Sequence, residues 1–332
     1  MKKLSKLMCL LLAVGMLMGI ASCSSDAGEG GGGSSGGTET VRISCGPLNG
    51  YQNVLYNSIA DMMNKANPGK YSFAIEASTG SAENARLLAM GETDFGTMGM
   101  DMTLSCYNAE GEFEGLPAEQ IMHVATHSGD GATVHVITSA KSDINSIPDL
   151  AGTKFGVTAG MMAGYLDDVL WAYDMTTDDL GSVVNLSLSD LCTALQDGNI
   201  DAFLYATPAT GTNFTDLAMS FGIKVVDIGQ EAVDKLMAEK PWYHTVVIPA
   251  GTYDGCDEDI TTFAQYTALC ARADVPEETV YNLVKTMMEN ADALEAVHKN
   301  AAGTCPERGI EGALIPMHPG AERYYKEVGV LD

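Results

Sequence analysis

Four short turns hold the residues best suited to gripping a small molecule. Thr79-Gly80-Ser81 lies between an alternating apolar run and a helical one, with Asn84 one turn further on. A helix start presents unpaired N–H groups and a partial positive charge, which suits a carboxylate or phosphate. Gly80 lets the backbone approach closely, and the Thr79 and Ser81 hydroxyls add donors. The competing reading is that Ser81 only caps its helix, as serine often does. Thr158-Ala159-Gly160-Met161 is a comparable turn in the second half of the chain, with Gly164 and Tyr165 close by. Two such turns facing each other would bound a cleft beyond the C-terminal ends of parallel strands. Gly46 to Gly50, including Asn49 and followed by Tyr51, makes a third turn, and Gly99-Met100-Asp101 a fourth. Asp101 would accept a ligand amino group or cap the next helix. Pro208, after Tyr205-Ala206-Thr207, marks a further candidate wall.

The sequence offers little for catalysis or metal binding. His123, His127 and His135 are four and eight residues apart, but the first two straddle a strand-like stretch. There is no His-Glu-x-x-His, no Gly-x-Ser-x-Gly elbow and no Gly-Lys-Ser/Thr loop. Carboxylates are too abundant for any acid–base pair to stand out. No metal, no cofactor and no enzyme activity is expected. Of the cysteines beyond residue 40, Cys45, Cys106, Cys192, Cys256, Cys270 and Cys305, no pair has CxxC spacing. Their disulfide pairing stays open. Cys192 and Cys270 read as buried small residues in helical contexts.

Elements that would position the turns follow from periodicity. Val41–Cys45 reads as a strand and Gln52–Lys65 as a helix with Val54, Leu55, Ile59, Met62 and Met63 inward. Tyr71–Ile75 is a strand. A helix opened by Ser78-Thr79-Gly80-Ser81 has Leu87, Leu88 and Met90 inward and stops at Gly91, and Thr93–Met98 is a strand. The same alternation restarts at Lys154–Thr158, Met161–Tyr173, Val183–Leu186, Leu188–Gln196 and Ile200–Tyr205. Strand–helix alternation implies parallel sheets covered by helices, here an α/β fold of two lobes. Ala132–Thr138 and Thr245–Ile248 are β-rich runs placed to cross between them. A single helix from about Glu277 to His298 would complete the first lobe.

The chain has 332 residues, 46% apolar and 19% charged, with 18 Lys plus Arg against 44 Asp plus Glu and a net charge of -26. That balance excludes nucleic acid as a partner. Met1–Ser22 carries three lysines, no acid and an apolar run from Leu7 to Ile20, the pattern of a secretory signal. Ile20-Ala21-Ser22-Cys23 resembles a bacterial lipobox, which implies that Cys23 becomes the lipidated first residue. Residues 23–40 include Gly30–Gly33 and read as a flexible tether spanning roughly 20–25 Å. The expected organisation is signal 1–22, tether 23–40, lobe I from 41–132 and 249–332, and lobe II from 133–248.

Several segments resemble the TAXI proteins, solute-binding components of one class of tripartite ATP-independent periplasmic (TRAP) transporter. They are Ala77–Leu88 with Gly91-Glu92-Thr93-Asp94, Asp149–Lys154, Ala194–Phe203, Ile248–Tyr253, Val275–Tyr281 and His318–Tyr325. The resemblance implies a type II periplasmic-binding-protein-like fold with a central ligand cleft and two crossover strands. It implies a small carboxylate or amino-acid ligand, and TRAP permease subunits as membrane partners. A monomer anchored by lipid outside the cytoplasm is expected, closing by hinge motion. A sensor subunit and an enzyme on the same scaffold are the other readings. The binding residues expected are Asn49, Tyr51, Thr79, Gly80, Ser81, Asn84, Asp101, Thr158, Gly160, Met161 and Pro208. A ligand with more than one negative charge would require a base such as Arg86 to turn inward. Otherwise a zwitterion or neutral solute fits better.

Overall fold

Two five-stranded sheets of like topology organise the chain. A computed structural model describes residues 38–48, 50–116, 120–127, 132–208 and 212–332. The signal, Cys23, most of the tether and Asn49 lie outside the described residues. Thr38–Asp332 form one unit. The first sheet is built from β1 (Glu39–Ser44), β2 (Tyr71–Glu76), β3 (Phe95–Gly99), β4 (Ile121–His127) and β12 (Thr267–Arg272). Its order is β2-β1-β3-β12-β4, with β1 parallel to β2 and β3, and β12 antiparallel to its neighbours.

The second sheet is built from β5 (Val134–Ser139), β6 (Lys154–Val157), β7 (Ser182–Asn185), β8 (Ala202–Ala206) and β9 (Ile223–Val226). Its order, β7-β6-β8-β5-β9, repeats the same plan of three parallel strands and an inserted antiparallel one. Between the sheets lies an antiparallel ladder of β10 (Tyr243–Ile248) and β11 (Ile260–Gln265). The two-lobe α/β architecture expected from the alternation is therefore present, but each sheet is mixed rather than parallel, because β12 and β5 enter antiparallel to their neighbours.

Helices follow the strands. In the first half α1 (Tyr51–Ala66), α2 (Ser81–Ala89) and α3 (Met100–Tyr107) come after β1, β2 and β3. In the second half α4 (Met161–Ala172), α5 (Leu188–Gln196), α6 (Thr212–Phe221) and α7 (Gln230–Glu239) alternate with the strands. The C-terminal segment supplies α8 (Glu277–Glu289), α9 (Ala291–Val297), α10 (Pro306–Gly309) and α11 (Pro319–Glu327). α8 and α11 pack back on the first sheet, where Val280, Leu283, Val284 and Tyr325 join Ile43, Ile59 and Val124 in one core. Apolar side chains on both faces of each sheet are withdrawn from water, the main favourable term in folding.

Some local expectations change. β1 starts at Glu39, inside the stretch read as tether. The buried stripe of α1 is Leu55, Tyr56, Ile59, Ala60 and Met63, while Val54 is exposed. That of α2 is Asn84, Ala85, Leu88 and Ala89, with Met90 exposed. The single helix expected from Glu277 to His298 breaks at Asn290, whose side-chain amide turns back to donate to the Thr286 carbonyl at 2.8 Å. Cys270 lies on β12 rather than on a helix, and Cys192 on α5 is only partly buried. The run Thr245–Ile248 does not reach the first sheet, because it pairs with β11. The return to that sheet comes one strand later, through Gln265-Tyr266-Thr267.

Candidate functional site

Glycines start the helices that meet at the junction of the halves. α1, α2, α3 and α4 have Gly50, Gly80, Gly99 and Gly160 as N-caps, so no cap side chain occupies the first amides of these helices. α1 to α3 follow the parallel strands of the first sheet, and α4 follows β6 of the second. The strand ends therefore aim helix starts at one region from both sides. Gly80 has φ 136° and ψ -160°, a backbone region open essentially only to glycine.

A cavity of about 490 Å³ opens there. Gly50, Gly80 and Gly99 line it together with Tyr51, Ser81 and Met161. Gln265 and Thr267 contribute from the return crossing, Ala132 from the approach to β5, and Tyr165 and Tyr205 from the second half. Among the described residues none of the lining side chains carries a formal charge. A neighbouring cavity of about 600 Å³ shares Tyr51 and is walled by Pro208, Phe214, His298 and Lys299. The Tyr51 and His298 rings lie 5.6 Å apart.

A polar chain spans the junction beside the cavity. Tyr165 donates its hydroxyl to Gln265 Oε1 at 2.8 Å. Gln265 Nε2 donates to Asp101 Oδ1, which also accepts the Met102 amide at 2.7 Å. Burial raises the Asp101 carboxyl above its ordinary range, although both hydrogen bonds oppose the shift. Gly99 makes the approach possible: a Cβ there would lie 2.7 Å from both Asp101 Oδ1 and Gln265 Nε2.

The eleven residues expected at the site divide into groups. Tyr51, Gly80, Ser81 and Met161 line the first cavity, and Ser81 Oγ accepts the Gly99 N–H at 3.1 Å. Gly160 is the cap immediately before Met161. Pro208 lies in the neighbouring cavity. Asp101 reaches the site only through Gln265. Thr79 is turned away, donating its hydroxyl to Glu83 Oε2 at 2.7 Å. Thr158 donates to the Leu186 carbonyl at 2.9 Å and serves the second sheet. Asn84 is fully buried and donates to the Thr97 carbonyl at 2.7 Å, fastening α2 to β3. Arg86 pairs outward with Glu112 at 2.9 Å.

Cys45, Gln52, Tyr165, Tyr205, Gln265 and Thr267 were not among the expected residues. Tyr165 and Tyr205 sit beside motifs that did attract notice. Gln265 and Thr267 carried no signal, because their place depends on which strand makes the return.

His123, His127 and His135 are buried in structural surroundings, His127 edge-on to the Tyr56 ring at 5.5 Å between centroids. His123 Nε2 lies 3.1 Å from the Gly309 carbonyl, and His135 bridges the Thr133 carbonyl and the Tyr253 hydroxyl, each at 2.9 Å. Among the described residues no group of three or more His, Cys, Asp or Glu is placed to hold a metal ion. Among them, too, no helix is long and apolar enough to cross a membrane.

A family model for the NMT1-like family matches residues 43–329. The chain belongs to the NMT1-like family. The resemblance to TAXI proteins is thereby corrected, and with it the expectation of TRAP permease partners. The segments behind it mark turns and helix openings that a two-lobe fold needs, such as the starts of α2, α8 and α11, so they report architecture rather than transporter class.

Solved structures similar to this NMT1-like chain include the periplasmic aliphatic sulphonate binding protein SsuA from Escherichia coli. It is 16% identical, with 87% of this chain and 83% of that chain covered and a TM-score of 0.51. A putative sulfonate ABC transporter's periplasmic sulfonate-binding protein from Methylobacillus flagellatus KT is 15% identical, with 89% and 88% covered and a TM-score of 0.50. At these identities the likeness establishes the fold, the type II solute-binding architecture. By family model the chain is NMT1-like, and by fold it has the two-lobe architecture of the sulfonate-binding structures it resembles.

Proposed function

We propose that this chain is the extracytoplasmic receptor of an ABC-type transporter and captures a singly charged small anion or a zwitterion. The carrying observation is the cavity of about 490 Å³ ringed by glycine-started helices yet lined by no charged side chain among the described residues. Main-chain amides and the Ser81 and Thr267 hydroxyls would hold one carboxylate or sulfonate. Met161, Tyr165 and Tyr205 would cover an apolar tail. A second negative charge would find no base in the first cavity, since Arg86 faces Glu112.

The sulfonate named for the two similar structures fits this pattern, because a sulfonate stays monoanionic. Closure of the halves about the Gln265 crossing would follow from ligand contacts made on both sides. Cys23, if lipidated, would hold the receptor at the membrane beside its permease. A thermal-shift screen of alkanesulfonates, monocarboxylates and neutral amino acids tests the reading, because binding to the native state raises apparent stability. Stabilisation by at least one of them is expected. No stabilisation by any, or stabilisation by dianions alone, would overturn the proposed pocket chemistry.

A further inference from the structure

A separate cavity of about 550 Å³ opens between the far end of α4 and the end of α7. Both tryptophans of the chain line it: Trp171 on α4, 40% exposed, and Trp242 just before β10. Three carboxylates line it as well, Asp167, Asp168 and Glu239, against a single ammonium, Lys240. Lys240 is engaged by Asp168, which also accepts the Tyr243 hydroxyl at 2.5 Å. Asp167 and Glu239 are exposed and form no ion pair among the described residues. The rim therefore keeps an uncompensated negative charge beside two indoles.

Indole faces attract cations through the ring quadrupole, most strongly when the cation is partly desolvated. The protein already uses this attraction at the same residue. Lys235 Nζ, which is not part of the cavity wall, lies 4.8 Å from the Trp171 ring centroid. The net charge of -26 adds a long-range preference for cations. We propose that this cavity binds a small organic cation, a quaternary or substituted ammonium, packed against Trp171 and Trp242 and balanced by Asp167 and Glu239. Trp242 packs against apolar cores of both halves, so the site adjoins their junction while sharing no wall with the solute cavity. The proposal stands independently of the solute that cavity takes.

With both tryptophans in one cavity, fluorescence excited at the red edge of absorption, where indole absorbs and the 13 tyrosines do not, reports on this place. Titration with tetramethylammonium chloride should give a saturable change that sodium chloride at matched ionic strength does not. Glu239→Gln and Asp167→Asn, each with unchanged circular dichroism, should weaken binding by roughly two- to five-fold, the range of an exposed charge contact. Choline should bind more tightly than 3,3-dimethylbutan-1-ol, its uncharged carbon analogue. A linear response equal to that of sodium chloride would overturn the proposal. So would equal binding of the carbon analogue, or indifference to both charge-removing variants.

Discussion

The Tyr165 hydroxyl reaches Gln265 Oε1 at 2.8 Å, joining the helix that opens the second half to the segment that returns the chain to the first. Gln265 passes the contact on to Asp101. Replacing Gln265 with Ala would leave a buried carboxylate with one amide donor fewer. The expected loss is about 1–3 kcal/mol of unfolding free energy, read from urea midpoints. Gly99→Ala should do similar damage by another route, since its Cβ would press on both partners of that hydrogen bond. Normal stability in both variants would mean the bridge contributes nothing to the fold.

Gly80→Ala tests the backbone alone. A Cβ at that position meets no atom within 4 Å, so crowding is absent and the penalty lies in the dihedral angles. About 1–3 kcal/mol of destabilisation is expected, together with weaker solute binding as the α2 start shifts. Chemical denaturation and ligand titration of the same variant would separate the two effects.

Acid should weaken the fold in a defined window. Burial lowers His123, His127 and His135 to about 4 each. Their depressed values mean that stability is fully present above the unfolded value near 6.5 and is lost as pH falls towards about 4, while the unfolded chain takes up protons first. Each contributes up to about 1.4 kcal/mol per pH unit. Asp101, shifted upward by burial, acts in the opposite direction at the acid end. Urea midpoints between pH 7.5 and 4.5 should fall, and His135→Gln should flatten the slope. A flat profile would rule out the buried neutral histidines.

Thr79→Val and Arg86→Ala should each leave solute affinity unchanged, because their polar groups are committed to Glu83 and Glu112. Isothermal titration with whichever solute the stability screen finds would check this. A large loss in Arg86→Ala would point to a multiply charged ligand.

All six cysteines beyond residue 40 are free thiols. Reductant should therefore leave the melting midpoint unchanged, and six body thiols should react in denaturant. A midpoint lowered by reductant would reveal a disulfide.

The legible parts were those governed by local rules. Gly80 and Gly160 announced helix starts after strands, and α1, α2 and α4 appeared almost at their observed limits. Side-chain direction was much less legible. Thr79, Ser81 and Asn84 occupy one turn of sequence, yet only Ser81 faces the cavity. Which hydroxyl points inward depends on Glu83 and Thr97, whose positions are set by the folded neighbours. Gln265 was invisible for a similar reason: a glutamine at a strand end has no meaning until the crossing strand is known.

The glycine caps have a consequence for how such a receptor could change over evolutionary time. Donors that belong to the main chain cannot be deleted by exchanging a side chain, so the proposed grip on an anionic head group would be shielded from most point mutations. Wall side chains such as Met161 and Tyr205 could change without touching those donors. A lineage built this way would diversify in the tail it accepts well before it lost the head.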